Sequence, residues 1–185
     1  GRQPPACSFC YSKAHIMKIT HPGFSKVAII DTTKKYGDKG QYRLLSSSKK
    51  NLKTALKDAK KNQHEVRYDY DMMKAGGKKL PFRFIITDIP PGHIQPFHSH
   101  KNLHELTIVL GGEILYIESD KLSESKSARK EMKKIGVKLS VGDLVIDDKI
   151  KRHTVANYSK SYARMITIQS AKKEGANLVT DWIHS

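Results

Sequence analysis

Two histidines two residues apart, a glutamate five further on and glycines at both ends constrain what the segment from Gly92 to Gly112 can fold into. Residues i and i+2 of a strand point to the same face, so His98 and His100 can aim side by side at one ion. Glu105 lies an odd number of residues from His100, and a straight strand would turn it away. The chain must therefore bend between them. Lys101-Asn102 is the expected place, because asparagine tolerates turn geometry. The run from His104 to Leu110 then reads as a strand rich in β-formers. Gly111-Gly112 is a two-residue hairpin signal, with residues 113–118 as the returning strand.

A fourth candidate, His153, follows about fifty residues later, as counted along the chain. Three imidazoles and one carboxylate, from His98, His100, Glu105 and His153, are a donor set suited to a divalent transition metal. The donors alone do not distinguish Fe, Mn, Ni, Co or Zn.

With these residues in view, the stretch resembles the first motif of the cupin superfamily. That motif is glycine, His-x-His, glutamate and glycine at set spacing, matched here by Gly92, His98, His100, Glu105 and Gly112. The second cupin motif is matched by Gly142, His153 and Asn157, while Asp148 and Ile150 replace its proline and its second glycine. Those two positions shape a turn rather than bind metal. The resemblance covers about Pro81 to Ser170. It implies an all-β fold, a cupin-type double-stranded β-helix (jelly-roll barrel) with one or two short helices. It also implies one metal ion held by His98, His100, Glu105 and His153.

The rest of the chain fits that expectation. Strands are predicted at 26–31, 41–45, 66–70, 82–89, 138–140, 144–146, 153–157 and 163–169, a spacing that suits a barrel. Ser46, Ser47 and Ser48 offer an N-cap for a helix over 49–61, where Leu52, Ala55, Leu56 and Ala59 share a face. Residues 75–79 read as a turn. Ala128, Met132 and Ile135 share a second helical face that Gly136 can stop. Three regions are expected: an extension left from expression cloning or a disordered tail over 1–16, strands and a helix packing on the barrel over 17–80, and the barrel over 81–185. Cys7, Cys10, His15 and His21 approach a zinc-knuckle spacing but lack its final cysteine and inner glycines. They are read as part of that extension.

The 185 residues carry a net charge of +16, with 27 lysines and 7 arginines. Arginine is the residue suited to planar phosphate contacts, and the lysines do not interleave with aromatics. Specific nucleic-acid binding is therefore not expected, although such a field attracts small anions. No apolar run suits a membrane span and no secretory signal is visible, so a cytoplasmic protein is expected. Both cysteines lie outside the barrel region, which argues against a disulfide-built domain.

The functional expectation is a metal-dependent enzyme, an oxygenase or isomerase acting on a small anionic organic molecule. The alternative is a non-catalytic cupin that binds a small ligand or regulates, in contact with nucleic acid. A homodimer is expected in either case. Strand parity does not settle whether Arg83, Met165 or Gln169 faces the barrel interior, and His93 and His104 have no motif role.

Overall fold

A computed structural model describes residues 26–46, 49–70, 82–100, 102–125, 127–147 and 151–172. Several expectations lie outside these residues: the Cys7, Cys10, His15 and His21 cluster, Ser47 and Ser48, the 75–79 turn, Lys101, and the substituted turn positions Asp148 and Ile150.

Ten strands and two helices are described. They run β1 (Lys26–Ile30), β2 (Tyr42–Ser46), α1 (Lys49–Lys61), β3 (Glu65–Tyr70), β4 (Phe82–Ile89), β5 (Leu103–Gly111), β6 (Glu113–Glu118), α2 (Arg129–Ile135), β7 (Val137–Ser140), β8 (Leu144–Asp147), β9 (His153–Ala156) and β10 (Ala163–Ala171). All strand pairings are antiparallel. One sheet has the order β2-β1-β3-β4-β10-β5-β8 and the other β7-β6-β9. Antiparallel strands alternate their side chains between two faces, so each sheet can present one face to a shared interior. Ile89, Val109 and Met165 from the large sheet meet Ile114, Tyr116, Leu139 and Val155 from the small one in a common buried cluster. This is the jelly-roll arrangement that the motifs imply.

The two helices cover outer faces. Leu52, Ala55, Leu56 and Ala59 of α1 pack on Val27, Ile29 and Val66, the face their spacing defines. Met132 of α2 is fully buried against Ile94, Phe97 and Ile117. Gly136 does end α2, but with φ −71 rather than in a left-handed cap. The reason for glycine there is space, since a Cβ would lie 2.5 Å from Leu115 Cγ.

The glycine pair at 111–112 differs from expectation. β5 and β6 do not pair with each other, because β5 pairs with β10 and β8 while β6 pairs with β7 and β9. The pair is thus a corner where the chain crosses between sheets. Gly112 has φ +71, and a Cβ there would sit 2.9 Å from the Tyr162 carbonyl oxygen. Both demands exclude a side chain.

The N-terminal strands β1, β2 and β3 extend the large sheet, with β3 hydrogen-bonded to β4 over Val66–Tyr70. Among the described residues no helix is long and apolar enough to cross a membrane.

Candidate metal centre

Glu105 stands on the inner face of the large sheet, in a row set by register. Arg83 of β4 faces Gln169 of β10, Gln169 faces Glu105 of β5, and Glu105 faces Asp147 of β8. The next inner row runs Ile85, Thr167, Thr107 and Val145, with the two threonine hydroxyl oxygens 3.3 Å apart. Arg83, Met165 and Gln169 thus all line the interior, which sequence parity left open.

The histidines arrive from the other direction. His98 follows the Gly92–Phe97 loop and exchanges two main-chain hydrogen bonds with His153, at 2.9 and 2.8 Å. That bridge ties the first motif to the second. Asn102 lies in a bend just before β5, which supplies the change of direction that places Glu105 beside His100. His104, its neighbour, points outward and is exposed.

The four residues converge. His98, His100, Glu105 and His153 each offer a donor atom, and these atoms all lie within 4.8 Å of one another. The three imidazole centroids are 4.5 to 5.3 Å apart. His100 Nε2 is 3.0 Å from Glu105 Oε2, and His153 Nε2 is 3.9 Å from Glu105 Oε1. Both of those nitrogens are buried without a hydrogen bond of acceptable geometry. The histidines are 7, 2 and 1% exposed, in chain order.

Neighbouring groups fix which ring nitrogens face inward. His98 Nδ1 is 2.9 Å from the Pro96 carbonyl oxygen, which assigns it the proton and leaves Nε2 as the lone-pair nitrogen. His153 Nδ1 lies 3.1 Å from the Lys151 carbonyl oxygen and 2.8 Å from Asp147 Oδ2, two acceptors that assign it the same tautomer. Gln169 Nε2 donates to Glu105 Oε2 at 2.7 Å. A carboxylate behind a histidine and an amide behind a carboxylate are the outer contacts that orient metal ligands. The Tyr116 ring stacks on His153 at 5.4 Å and 24°.

The electrostatics agree with a cation site. Burial pushes the His98 imidazole down to about 3, helped by the neighbouring His153, so it is neutral at physiological pH. Burial raises Glu105, but the adjacent His100 and His98 outweigh it and hold the carboxyl at about 2. Burial lowers His153, yet Asp147 and Glu105 raise it further than burial lowers it. Among the described residues no lysine or arginine pairs with Glu105. A buried carboxylate needs a countercharge, and among the described residues no permanent cation is built in beside this one. The donor set, the tautomers and the unpartnered nitrogens therefore fit a divalent ion.

Four of the predicted residues are thus one cluster. Sequence reasoning missed a second group. His93 Nε2 lies 3.0 Å from Glu65 Oε2, and Glu65 also takes Arg67 Nε at 2.6 Å and Gln95 Nε2 at 3.1 Å. This clamp holds the loop that carries the first ligands against β3. No local spacing reveals it, since Glu65 and Gln95 are 30 residues apart.

A cavity of about 710 Å³ opens from the cluster toward the N-terminal strands. Its far wall includes Ala28, Ile30, Tyr36 and Gln41.

No protein-family model matches the chain, and no curated protein does. Many solved structures do resemble it. A protein from Photorhabdus luminescens is 21% identical, covering 58% of this chain and 76% of that one, with TM-score 0.45. A cupin-superfamily sugar phosphate isomerase from Silicibacter pomeroyi is 16% identical, covering 56% and 59%, with TM-score 0.43. A predicted oxalate decarboxylase from Thermotoga maritima is 17% identical, covering 58% and 81%, with TM-score 0.45. Likeness at this level says nothing about substrate or reaction. The chain's own strand order, and the main-chain bridge that joins its two motifs inside the sheets, make it a cupin-fold protein.

Proposed function

We propose that His98, His100, Glu105 and His153 bind one divalent transition ion, and that this ion receives a small chelating organic molecule from the adjoining cavity. The observation that carries the reading is Glu105, a mostly buried carboxylate surrounded by three imidazoles and, among the described residues, paired with no lysine or arginine. When bound, the ion would act as a Lewis acid or bind dioxygen. Four protein ligands leave about two positions on a six-coordinate ion, enough for a bidentate ligand. The protein's part is to hold the His98 and His153 imidazoles in one tautomer and one carboxylate in one orientation. Asp147, Lys151, Pro96 and Gln169 do this through the contacts above. An oxygenase or isomerase acting on a small anion is the enzymatic form of this reading.

Elemental analysis of protein prepared without chelator is expected to give about one metal per chain. A His98→Ala, His153→Ala double variant is expected to lose it. Full occupancy in that variant would reject the assignment.

Assembly as a homodimer is part of the proposal. β8 is an edge strand with Leu144 and Ile146 exposed, and β2 is the opposite edge with Tyr42 and Leu44 exposed. Edge strands with exposed apolar side chains call for covering. Light scattering should return twice the 20.9 kDa chain mass. A monomer at micromolar concentration would contradict this.

A further inference from the structure

The ion would sit at one end of the cavity, and the remaining wall limits what else a ligand can carry. Two guanidinium groups line that wall, Arg67 and Arg83. Each faces an acid. Arg83 places Nη2 2.5 Å and Nε 3.2 Å from Asp69 Oδ2. Arg67 places Nε 2.6 Å from Glu65 Oε1, whose carboxyl Arg67 helps hold at about 2 despite complete burial. Strand alternation produces these pairs, since Glu65, Arg67 and Asp69 share the inner face of β3. Among the described residues the other charged groups on this wall are Lys26 and Asp38, both exposed and of opposite sign. Between rim and cluster the wall offers amide and hydroxyl groups beside aliphatic side chains.

Among the described residues the charges on this wall are therefore matched in sign. A dication with one carboxylate and three neutral imidazoles retains about one positive charge. We infer that the ligand is a monoanion: one chelating head, such as an α-keto or α-hydroxy carboxylate, on a body without charge. A second carboxylate or a phosphate at the far end would lose water beside guanidinium groups already neutralised, with nothing left to balance it. The strongly basic composition does not change this, because among the described residues Lys26 is the one lysine that lines the cavity. The inference rests on the proposed metal site.

Two probes of equal carbon length separate the outcomes. α-Ketovalerate and α-ketoglutarate share the chelating head and differ by a terminal methyl against a terminal carboxylate. Calorimetric titration is made into protein loaded with zinc, which has no redox chemistry of its own. Zinc content is measured first, so a failure to load metal is seen as such and removes both readings. With zinc bound, α-ketovalerate is expected to bind at least about tenfold more tightly than α-ketoglutarate. Chelator-stripped protein is expected to bind neither. Asp69→Asn, which leaves Arg83 without its carboxylate, is expected to bring the preference toward unity. Equal or tighter binding of α-ketoglutarate by the zinc form overturns the inference. Binding of neither probe by the zinc form, or an unchanged preference in Asp69→Asn, overturns it too.

Discussion

Glu65 and Glu105 are two carboxylates inside the same barrel, each beside histidine and glutamine, and they are balanced in different ways. Glu65 is 1% exposed and takes Arg67 Nε at 2.6 Å. Burial raises its carboxyl, but the Arg67 charge and His93 hold it at about 2. Arginine is a permanent cation, so this site is electrically complete within the protein. Glu105 is held equally low, yet among the described residues its ion-pair partners are the His100 and His153 imidazoles rather than a guanidinium. The same residue type thus serves two purposes. Where a guanidinium is built in, the carboxylate fastens a loop. Where only imidazoles converge, the proposed role of the carboxylate is to bind a cation from solution.

The sharpest way to break this comparison is to neutralise each carboxylate in turn. Glu65→Gln leaves Arg67 buried without its carboxylate, and a loss of about 3–5 kcal/mol is expected in urea unfolding. Glu105→Gln should cost chelator-stripped protein less than Glu65→Gln does, because it strands no guanidinium in the interior. Metal binding should be lost in Glu105→Gln and kept in Glu65→Gln at saturating metal. Equal destabilisation by the two variants would erase the distinction.

The acid limb of stability provides a second, smaller contrast. Glu65 is lowered from 4.5 to about 2, so its contribution is full above the unfolded value. It is lost as pH falls from 4.5 toward 2, where the folded carboxyl takes up its proton. Stability of the wild type should fall across this window, and Glu65→Gln should lack that component. An identical acid limb in both would contradict the account of Glu65.

Next in size are the contacts behind the ligands. Asp147→Asn removes the carboxylate behind His153, and chelator competition should report about 10–100-fold weaker metal binding. Glu at this position should restore part of the affinity. Gln169→Leu removes a single 2.7 Å hydrogen bond to Glu105, and less than about tenfold weakening is expected. An effect of Gln169→Leu larger than that of Asp147→Asn would reverse the order argued here.

The contrast also explains what could be read along the chain. His98, His100, Glu105 and His153 were legible because their spacings follow the cupin motifs, although His98 meets His153 in an isolated bridge rather than within a strand. The α1 helix was legible because Leu52, Ala55, Leu56 and Ala59 repeat at helical spacing. The Glu65, Arg67, His93 and Gln95 clamp was not, since it joins β3 to a loop through the fold rather than through any local period. The inward side of Gln169 was hidden because β10 alternates evenly between two faces, and only its pairing with Glu105 across β5 shows which face is inner. The corner at Gly112 was hidden for a related reason. A glycine pair between two strands signals a reversal, but whether the strands pair depends on which sheet the second one joins.

The most direct test of the central claim is thermal unfolding of chelator-stripped protein with and without added divalent metal. A ligand that binds only the folded state stabilises it, by about 2.7 kcal/mol at a hundredfold excess over the dissociation constant. The account predicts a clear rise in Tm for the wild type, none for the His98→Ala, His153→Ala variant, and a full rise for Glu65→Gln from its lower starting point. An equal rise in the double histidine variant, or no rise in the wild type with any of iron, manganese, cobalt, nickel or zinc, would contradict it.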